Sequence, residues 1–156
     1  MRTFDPAAEE AYTGLEQLLR AKRGEAPHAP MLQLLGVDID DVEPGRIVLS
    51  CRPTEVHLNR VGTIHGGYAA SVLDTAATLC FLSTHGPGEM SSTIDLTIKY
   101  IRPLFPGMGV LRCEGQVISA GKQLGVTEAR LVDEVGKIYA HATCTCIKLN
   151  RMPGEA

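Results

Sequence analysis

The longest run of apolar and small residues in the chain extends over residues 67–83. No residue in this run breaks a helix, so the pattern predicts one α-helix that is apolar around its whole circumference. Such a helix is normally buried on every side. The run is too short, and contains too many Ser and Thr residues, to be a convincing membrane span. We therefore expect it to form the centre of the core, with Asp74 as its only formally charged residue.

Segments that alternate between apolar and polar residues flank this helix, and they predict β-strands. Two strands precede it, at residues 37–42 and 47–52, joined by a turn at 43–46 that has Pro and Gly in type II positions. Four strands follow it, at residues 92–101, 109–120, 125–133 and 137–149. Short links between long strands indicate an antiparallel meander. Two strands, one buried helix and four further strands predict an α+β fold.

The N-terminal segment carries the signals of a further helix. Asp5 is a good N-cap residue, Pro6 suits the first helical position and Gly24 suits the C-cap. We expect this helix to pack on the outside of the core without a catalytic role. The chain is thus divided into an N-terminal helix and linker at 1–26, a main domain at 27–150 and a short polar, flexible tail at 151–156.

Composition narrows the function classes. The 156 residues suffice for one core, and the formal charge of −3, without a basic stripe, argues against a nucleic-acid partner. The first ten residues lack the apolar stretch of a signal peptide. The five cysteines show neither Cys-x-x-Cys nor zinc spacing, which favours small buried side chains over disulfides or metal ligands. We therefore expect a reduced, cytoplasmic protein with no membrane partner and no metal.

Asp74 is the residue in the central helix that needs an explanation. A carboxylate in an apolar environment is unfavourable unless it is hydrogen-bonded or functional. Helical spacing places Ser71 and Thr78 beside it, at i−3 and i+4, so the three form one polar line. Either these hydroxyls satisfy the carboxylate locally, or it is a functional group with supporting neighbours. The residues that precede the helix favour the second interpretation.

Those residues are His65, Gly66 and Gly67 at the predicted helix start. Glycines allow a ligand to approach the backbone closely, and the N–H groups of a first helical turn are unpaired. With the helix dipole behind them, these groups suit an anion or a developing oxyanion. The combination of this segment with Asn59 upstream and Asp74 downstream is much more specific than Gly-Gly alone.

At this point the sequence resembles a known family, the hotdog-fold acyl-CoA thioesterases of the phenylacetate-degradation and hydroxybenzoyl-CoA thioesterase type. The resemblance covers residues 30–149 and is carried by Asn59, Gly62, His65, Gly66, Gly67, Asp74, Thr78, Ser92 and residues 100–103. It implies a long helix wrapped by an antiparallel sheet, pairing into homodimers and homotetramers, and hydrolysis of acyl-CoA thioesters without metal or cofactor.

The resemblance also implies roles for individual residues. The N–H of Gly66 would bind the thioester oxygen, and Asn59 would hold the carbonyl or the attacking water. His65 would orient the loop. Thr78 and Ser92 match positions that assist the acid or the water in relatives, and Ser92 opens a strand that the sheet could bring over the helix.

The reaction route and the substrate contacts are less defined. Asp74 could attack the thioester as a nucleophile or activate a water as a general base, and the sequence does not decide between these routes. Coenzyme A needs cations for its phosphates. Arg102, and Lys122 in the turn with Gly121, are the best candidates. The acyl group is not readable from the sequence.

Helix geometry predicts that the site is shared between two subunits. Gly66 and Asp74 are eight residues apart, which corresponds to about 12 Å along a helix, too far for both to reach one thioester. Two antiparallel helices would solve this, with Asn59, His65 and Gly66 from one subunit and Asp74, Thr78 and Ser92 from the other. The alternatives are an acyl-thioester hydratase or dehydratase of the same fold, or a non-catalytic acyl-CoA-binding protein.

Overall fold

The computed structural model describes residues 5–150 of the chain. Its helices are α1 (Gly14–Lys22), α2 (Pro30–Leu35) and α3 (Gly66–Leu82), with short 3-10 helices at Pro6–Glu9 and Glu55–His57. Its strands are β1 (Val37–Glu43), β2 (Arg46–Cys51), β3 (Glu89–Tyr100), β4 (Leu111–Ala120), β5 (Leu124–Val132) and β6 (Ile138–Asn150). The predicted tail at 151–156 lies outside the described residues.

All six strands form one antiparallel sheet in the order β1-β2-β4-β5-β6-β3. The predicted α+β class and the β1–β2 hairpin are confirmed, with Gly45 at φ 79° in the connecting turn. The prediction that the strands form a simple meander is wrong. Strands β4, β5 and β6 follow one another through short turns, but β3 pairs with β6 at the far edge of the sheet. The segment at 101–110, which contains Pro103 and Pro106, is long enough to separate β3 from β4.

The predicted N-terminal helix is divided into two pieces. Asp5 caps the 3-10 helix by accepting a hydrogen bond from the N–H of Ala7 at 3.0 Å. A new helix, α1, begins after Thr13, whose side chain forms a reciprocal capping box with Glu16. A Cβ at Gly14 would lie 1.8 Å from the carbonyl oxygen of Leu82, so the start of α1 packs directly on the end of α3.

Helix α3 packs on one face of the sheet and supplies much of the core. Its fully buried residues are Tyr68, Ala69, Val72, Leu73, Ala76, Ala77, Cys80 and Phe81. Glycines let the sheet approach closely, since a Cβ at Gly115 would lie 2.5 Å from the carbonyl oxygen of Ala76. The helix is not buried on every side, however. Its remaining stripe is only half-buried, and this stripe contains Ser71, Asp74, Thr75, Thr78 and Leu79.

The five cysteines are free and buried, as expected for small core side chains. Cys144 and Cys146 point to the same face of β6, with their sulfur atoms 3.4 Å apart. Within residues 5–150, no helix has both the length and the apolar character needed to cross a membrane.

Candidate active site

His65 forms the N-cap of α3, and its imidazole closes the first turn. The Nδ1 atom accepts a hydrogen bond from the N–H of Gly67 at 2.9 Å, and the carbonyl of His65 accepts one from Tyr68 at 2.9 Å. The N–H of Gly66 has no hydrogen-bond partner within residues 5–150. An unpaired N–H at the positive end of a long helix is suited to hold an oxyanion.

Asn59 organises the loop that leads into this helix. Its Oδ1 accepts hydrogen bonds from the N–H groups of Val61 at 3.0 Å and Thr63 at 3.2 Å, and its Nδ2 donates to the hydroxyl of Thr63 at 2.8 Å. The structure thus assigns Asn59 a loop-holding function that the sequence did not predict. An amide nitrogen carries two N–H groups, so the second one remains for another acceptor.

A cavity of about 330 Å³ opens beside this loop and the start of α3. Asn59, His65 and Gly66, which the sequence had grouped together, all line it. The rest of its wall is formed by Thr63, Ile64, Ala69, residues 100–104, Tyr139 and Ala140. The cavity therefore brings the expected oxyanion donor next to a largely apolar wall that could hold an acyl group or part of coenzyme A.

Asp74 lies outside this cavity, on the half-buried stripe of α3. The hydroxyl of Thr93, on β3, donates to its Oδ1 at 2.6 Å, and the Thr78 hydroxyl lies 2.8 Å from that of Thr93. A hydroxyl has one proton to donate, and Thr93 gives it to the carboxylate. Thr78 must then donate to Thr93. The result is a hydroxyl relay from Thr78 through Thr93 to Asp74.

This relay replaces two of the sequence-based assignments. Ser71 does not reach Asp74, because its hydroxyl donates to the carbonyl of Gly67 at 2.9 Å. Ser92 is exposed on the opposite face of β3 from Thr93. The reason is a bulge between Thr93 and Asp95. Because the bulge adds one residue, every side chain before it points to the opposite face from the one that regular alternation would give.

A buried thiol lies under the relay. The Cys144 sulfur is 3.8 Å from the Thr93 hydroxyl oxygen. Its hydrogen bond with Cys146, together with burial, raises the pKa of Cys144 far above its ordinary value. Burial likewise raises the pKa of Cys80 to about 12 and that of Cys51 to about 11. These three thiols are therefore protonated at neutral pH and are not thiolate nucleophiles.

The residues suggested for coenzyme A lie in different places. Arg102 lines the cavity, and its guanidinium donates to the carbonyl of Ile138. Gly121 and Lys122 are exposed in the β4–β5 turn and do not line the cavity. No cluster of three His, Cys, Asp or Glu side chains suited to a metal ion occurs in the described part of the chain.

Comparison with known proteins places this geometry in a family. The family model described as the thioesterase superfamily matches residues 61–140, which include the helix start, Asp74 and Thr93. The chain belongs to the thioesterase superfamily. Human acyl-coenzyme A thioesterase 13 is 30% identical over 103 residues, which are 65% of this chain and 72% of the relative. Acyl-coenzyme A thioesterase PaaI of Escherichia coli is 35% identical over 107 residues, 68% of this chain and 73% of the relative.

Solved structures of thioesterases share the fold. A phenylacetic acid degradation-related protein from Ralstonia eutropha superposes with a TM-score of 0.76 at 30% identity, covering 83% of this chain and 98% of the other. The Escherichia coli PaaI protein superposes with a TM-score of 0.77 at 26% identity, covering 87% and 96%. The predicted hotdog-fold thioesterase family is confirmed, and the chain is an enzyme of this type.

Proposed function

We propose that this thioesterase hydrolyses acyl-CoA to a free acid and coenzyme A, with Asp74 as nucleophile or general base and the Gly66 N–H as oxyanion donor. The observation that carries the proposal is the unpaired N–H of Gly66, which lines a cavity at the start of the same helix that presents Asp74. The relatives named acyl-coenzyme A thioesterases support the same substrate class.

The proposed site is completed by a second copy of the chain. Gly66 and Asp74 lie eight residues apart on one continuous helix, so about 12 Å of helix axis separates them. Only one of the two can touch a given thioester carbonyl. The partner subunit's Asp74 must therefore act on a thioester held at this subunit's Gly66.

Two features support a two-fold homodimer of this kind. The stripe of α3 that carries Asp74 is only half-buried although the helix is apolar overall. Strand β3 also ends the sheet, and no strand within residues 5–150 pairs with its outer edge. Antiparallel pairing of two β3 edges would set two α3 helices side by side in opposite directions. Pairing of such dimers into a homotetramer, as the resemblance implies, is part of the proposal.

The residues divide the chemistry as follows. Gly66 donates to the thioester oxygen and stabilises the negative charge that develops there. Asn59 and His65 hold the loop and the first turn that present this N–H. Asp74, oriented by Thr93, either attacks the carbonyl carbon or removes a proton from the attacking water, and the C–S bond breaks as the coenzyme A thiolate departs. On the first route a water then hydrolyses the acyl–Asp74 anhydride to the free acid and restores the carboxylate. On the second route the proton on Asp74 passes to the departing thiolate. The buried free thiols fit a reducing, cytoplasmic setting.

The test has two parts. The first is release of free thiol from acyl-CoAs of increasing length and from phenylacetyl- and hydroxyphenylacetyl-CoA, with enoyl absorbance recorded in parallel. Thiol release supports the proposal, whereas absorbance change without thiol release would indicate a hydratase or dehydratase. Binding without either reaction would indicate an acyl-CoA-binding protein.

The second part tests the shared site by co-refolding Asn59→Ala with Asp74→Ala. We expect each variant to be inactive by itself, because Asn59→Ala removes the side chain that holds the oxyanion loop and Asp74→Ala removes the carboxylate. In a random equal mixture half of the dimers are mixed, and each mixed dimer has one intact site of two. We therefore expect roughly a quarter of the wild-type activity. No recovery, with mixed dimers shown to form, would mean that each chain builds its own site. Light scattering on the same samples measures the oligomeric state.

A further inference from the structure

The peptide group between Gly66 and Gly67 is held from both sides. Its carbonyl accepts a hydrogen bond from the hydroxyl of Tyr100 at 3.2 Å, and its N–H donates to the Nδ1 atom of His65 at 2.9 Å. Tyr100 is the last residue of β3, so the hydroxyl comes from a different element than the helix. We call this pair of contacts the peptide clamp.

The ring of Tyr100 also contacts the glycine directly. A Cβ at Gly66 would lie 3.2 Å from the ring carbon that carries the hydroxyl, which is tighter than ordinary van der Waals contact. A residue with a side chain at this position would have to displace the ring. Glycine at 66 therefore allows Tyr100 to lie against the helix start, and the same ring forms part of the cavity wall.

Two consecutive glycines would otherwise leave this turn poorly defined. Glycine has more accessible backbone conformations than any other residue, so its N–H direction needs an external restraint. The preceding peptide, which carries the Gly66 N–H, is held at its carbonyl, because the carbonyl of His65 accepts a hydrogen bond from the N–H of Tyr68 at 2.9 Å. With the following peptide held by the clamp, both sides of Gly66 are restrained. The unpaired Gly66 N–H then points in one direction.

We propose that Tyr100 is a positioning residue whose hydroxyl, through the Gly66 carbonyl, fixes the direction of the oxyanion donor. The inference rests on the proposed function, since it presupposes that the Gly66 N–H binds the thioester oxygen. An oxyanion donor must lie at hydrogen-bond distance from the position of the developing charge. The Gly66 carbonyl and the Gly66 N–H belong to neighbouring peptides joined at the Gly66 Cα. Rotation of the peptide that Tyr100 holds would therefore turn the N–H as well and reduce its stabilising effect. Tyr100 acts on the transition state without touching the reacting atoms.

The test compares Tyr100→Phe with the wild-type protein and uses Tyr12→Phe as matched control. Tyr12 does not line the cavity, and its ring packs against Arg20, whose guanidinium carbon lies 4.0 Å from the ring centroid. Loss of one neutral hydrogen bond that matters only in the transition state corresponds to about 3- to 10-fold in rate. We expect Tyr100→Phe to lower kcat by this factor with KM changed less than about 2-fold. The control should retain wild-type kcat.

A second readout does not depend on activity. Amide hydrogen exchange of Gly67, followed by NMR, should be about 3- to 10-fold faster in Tyr100→Phe, because the clamp no longer holds the peptide, and unchanged in Tyr12→Phe. Unchanged Gly67 exchange would overturn the clamp. A higher KM with unchanged kcat, or faster exchange with unchanged kcat, would overturn the positioning role. A wild-type protein without thioesterase activity would contradict the proposed function, while the exchange measurement would still test the clamp.

Discussion

The hydroxyl relay makes a quantitative prediction for the variant Thr93→Val, which keeps the shape of the side chain but removes its hydroxyl. The bond removed is the 2.6 Å donation from Thr93 to the carboxylate of Asp74. Hydrogen bonds to charged groups contribute about 1.5–3 kcal/mol, which corresponds to about 10- to 150-fold in an equilibrium or a rate. Because Asp74 is only half-buried, we expect the lower part of this range. We predict a roughly 10- to 50-fold lower kcat, by the same conversion.

The assay is steady-state release of coenzyme A thiol from the best substrate of the acyl-CoA series. KM should change less than about 3-fold, because Thr93 orients the carboxylate and does not hold the substrate. Thr93→Ser restores a hydroxyl at the same position and should recover most of the activity. Thermal unfolding of each variant separates loss of function from loss of folded protein.

The neighbouring residue provides the control. Ser92 lies one position earlier on β3 and is exposed on the opposite face, so Ser92→Ala should leave kcat within about 2-fold of wild type, as for surface substitutions. Thr93→Val activity that stays within the same margin of wild type would refute the relay. Loss of activity in Ser92→Ala but not in Thr93→Val would show that Ser92, and not Thr93, faces the helix, which would contradict the register of β3 against β6.

Three further predictions concern the core and the helix. Asp74→Asn should lower kcat by at least about 10²-fold while thermal unfolding shows an unchanged or higher Tm, because a partly buried charge is removed. Burial, with the nearby Lys148 charge, lowers the pKa of His85 from 6.5 to about 4. The unfolded state therefore binds the additional proton between these values. The free energy of unfolding should fall by up to about 3 kcal/mol as the pH drops from 6.5 to 4, and the His85→Leu variant should lack this part of the slope in urea unfolding. Gly115→Ala should destabilise the fold by about 1–3 kcal/mol in the same measurement, since its Cβ would overlap the backbone of Ala76.

The parts of the structure that the sequence predicted depend on strong local signals. Helix α3 begins and ends only one residue earlier than expected. The prediction is this close because uninterrupted apolar residues and the His65 cap define the helix. The β1–β2 hairpin follows from the turn chemistry around Gly45. The grouping of Asn59, His65 and Gly66 in one cavity also follows from proximity along the chain. Each of these features involves residues close in sequence, so periodicity and capping were sufficient to predict them.

The parts that the sequence did not predict depend on long-range pairing. The alternation of Leu96 and Ile98, both half-buried, extrapolates back along β3 to an inward-facing Ser92. The bulge before Asp95 adds one residue to the strand and places Thr93 there instead. Nothing in the local composition marks a bulge, because its position depends on the register with β6. The position of β3 at the sheet edge is unpredictable locally for the same reason.

Strand β3 contacts both Asp74 and Gly66, so its register determines the support of both groups of the proposed site. It runs antiparallel to α3, so that Thr93 near its start contacts Asp74 and Tyr100 at its end contacts Gly66. Both contacts are made from the same face of the strand, since the bulge compensates for the odd spacing between the two residues. Loss of the bulge would turn Thr93 or Tyr100 away from the helix. It would therefore remove either the Thr93 hydrogen bond to the carboxylate or the Tyr100 hydrogen bond at the oxyanion donor. One face of β3 can make both contacts only because the strand contains the bulge.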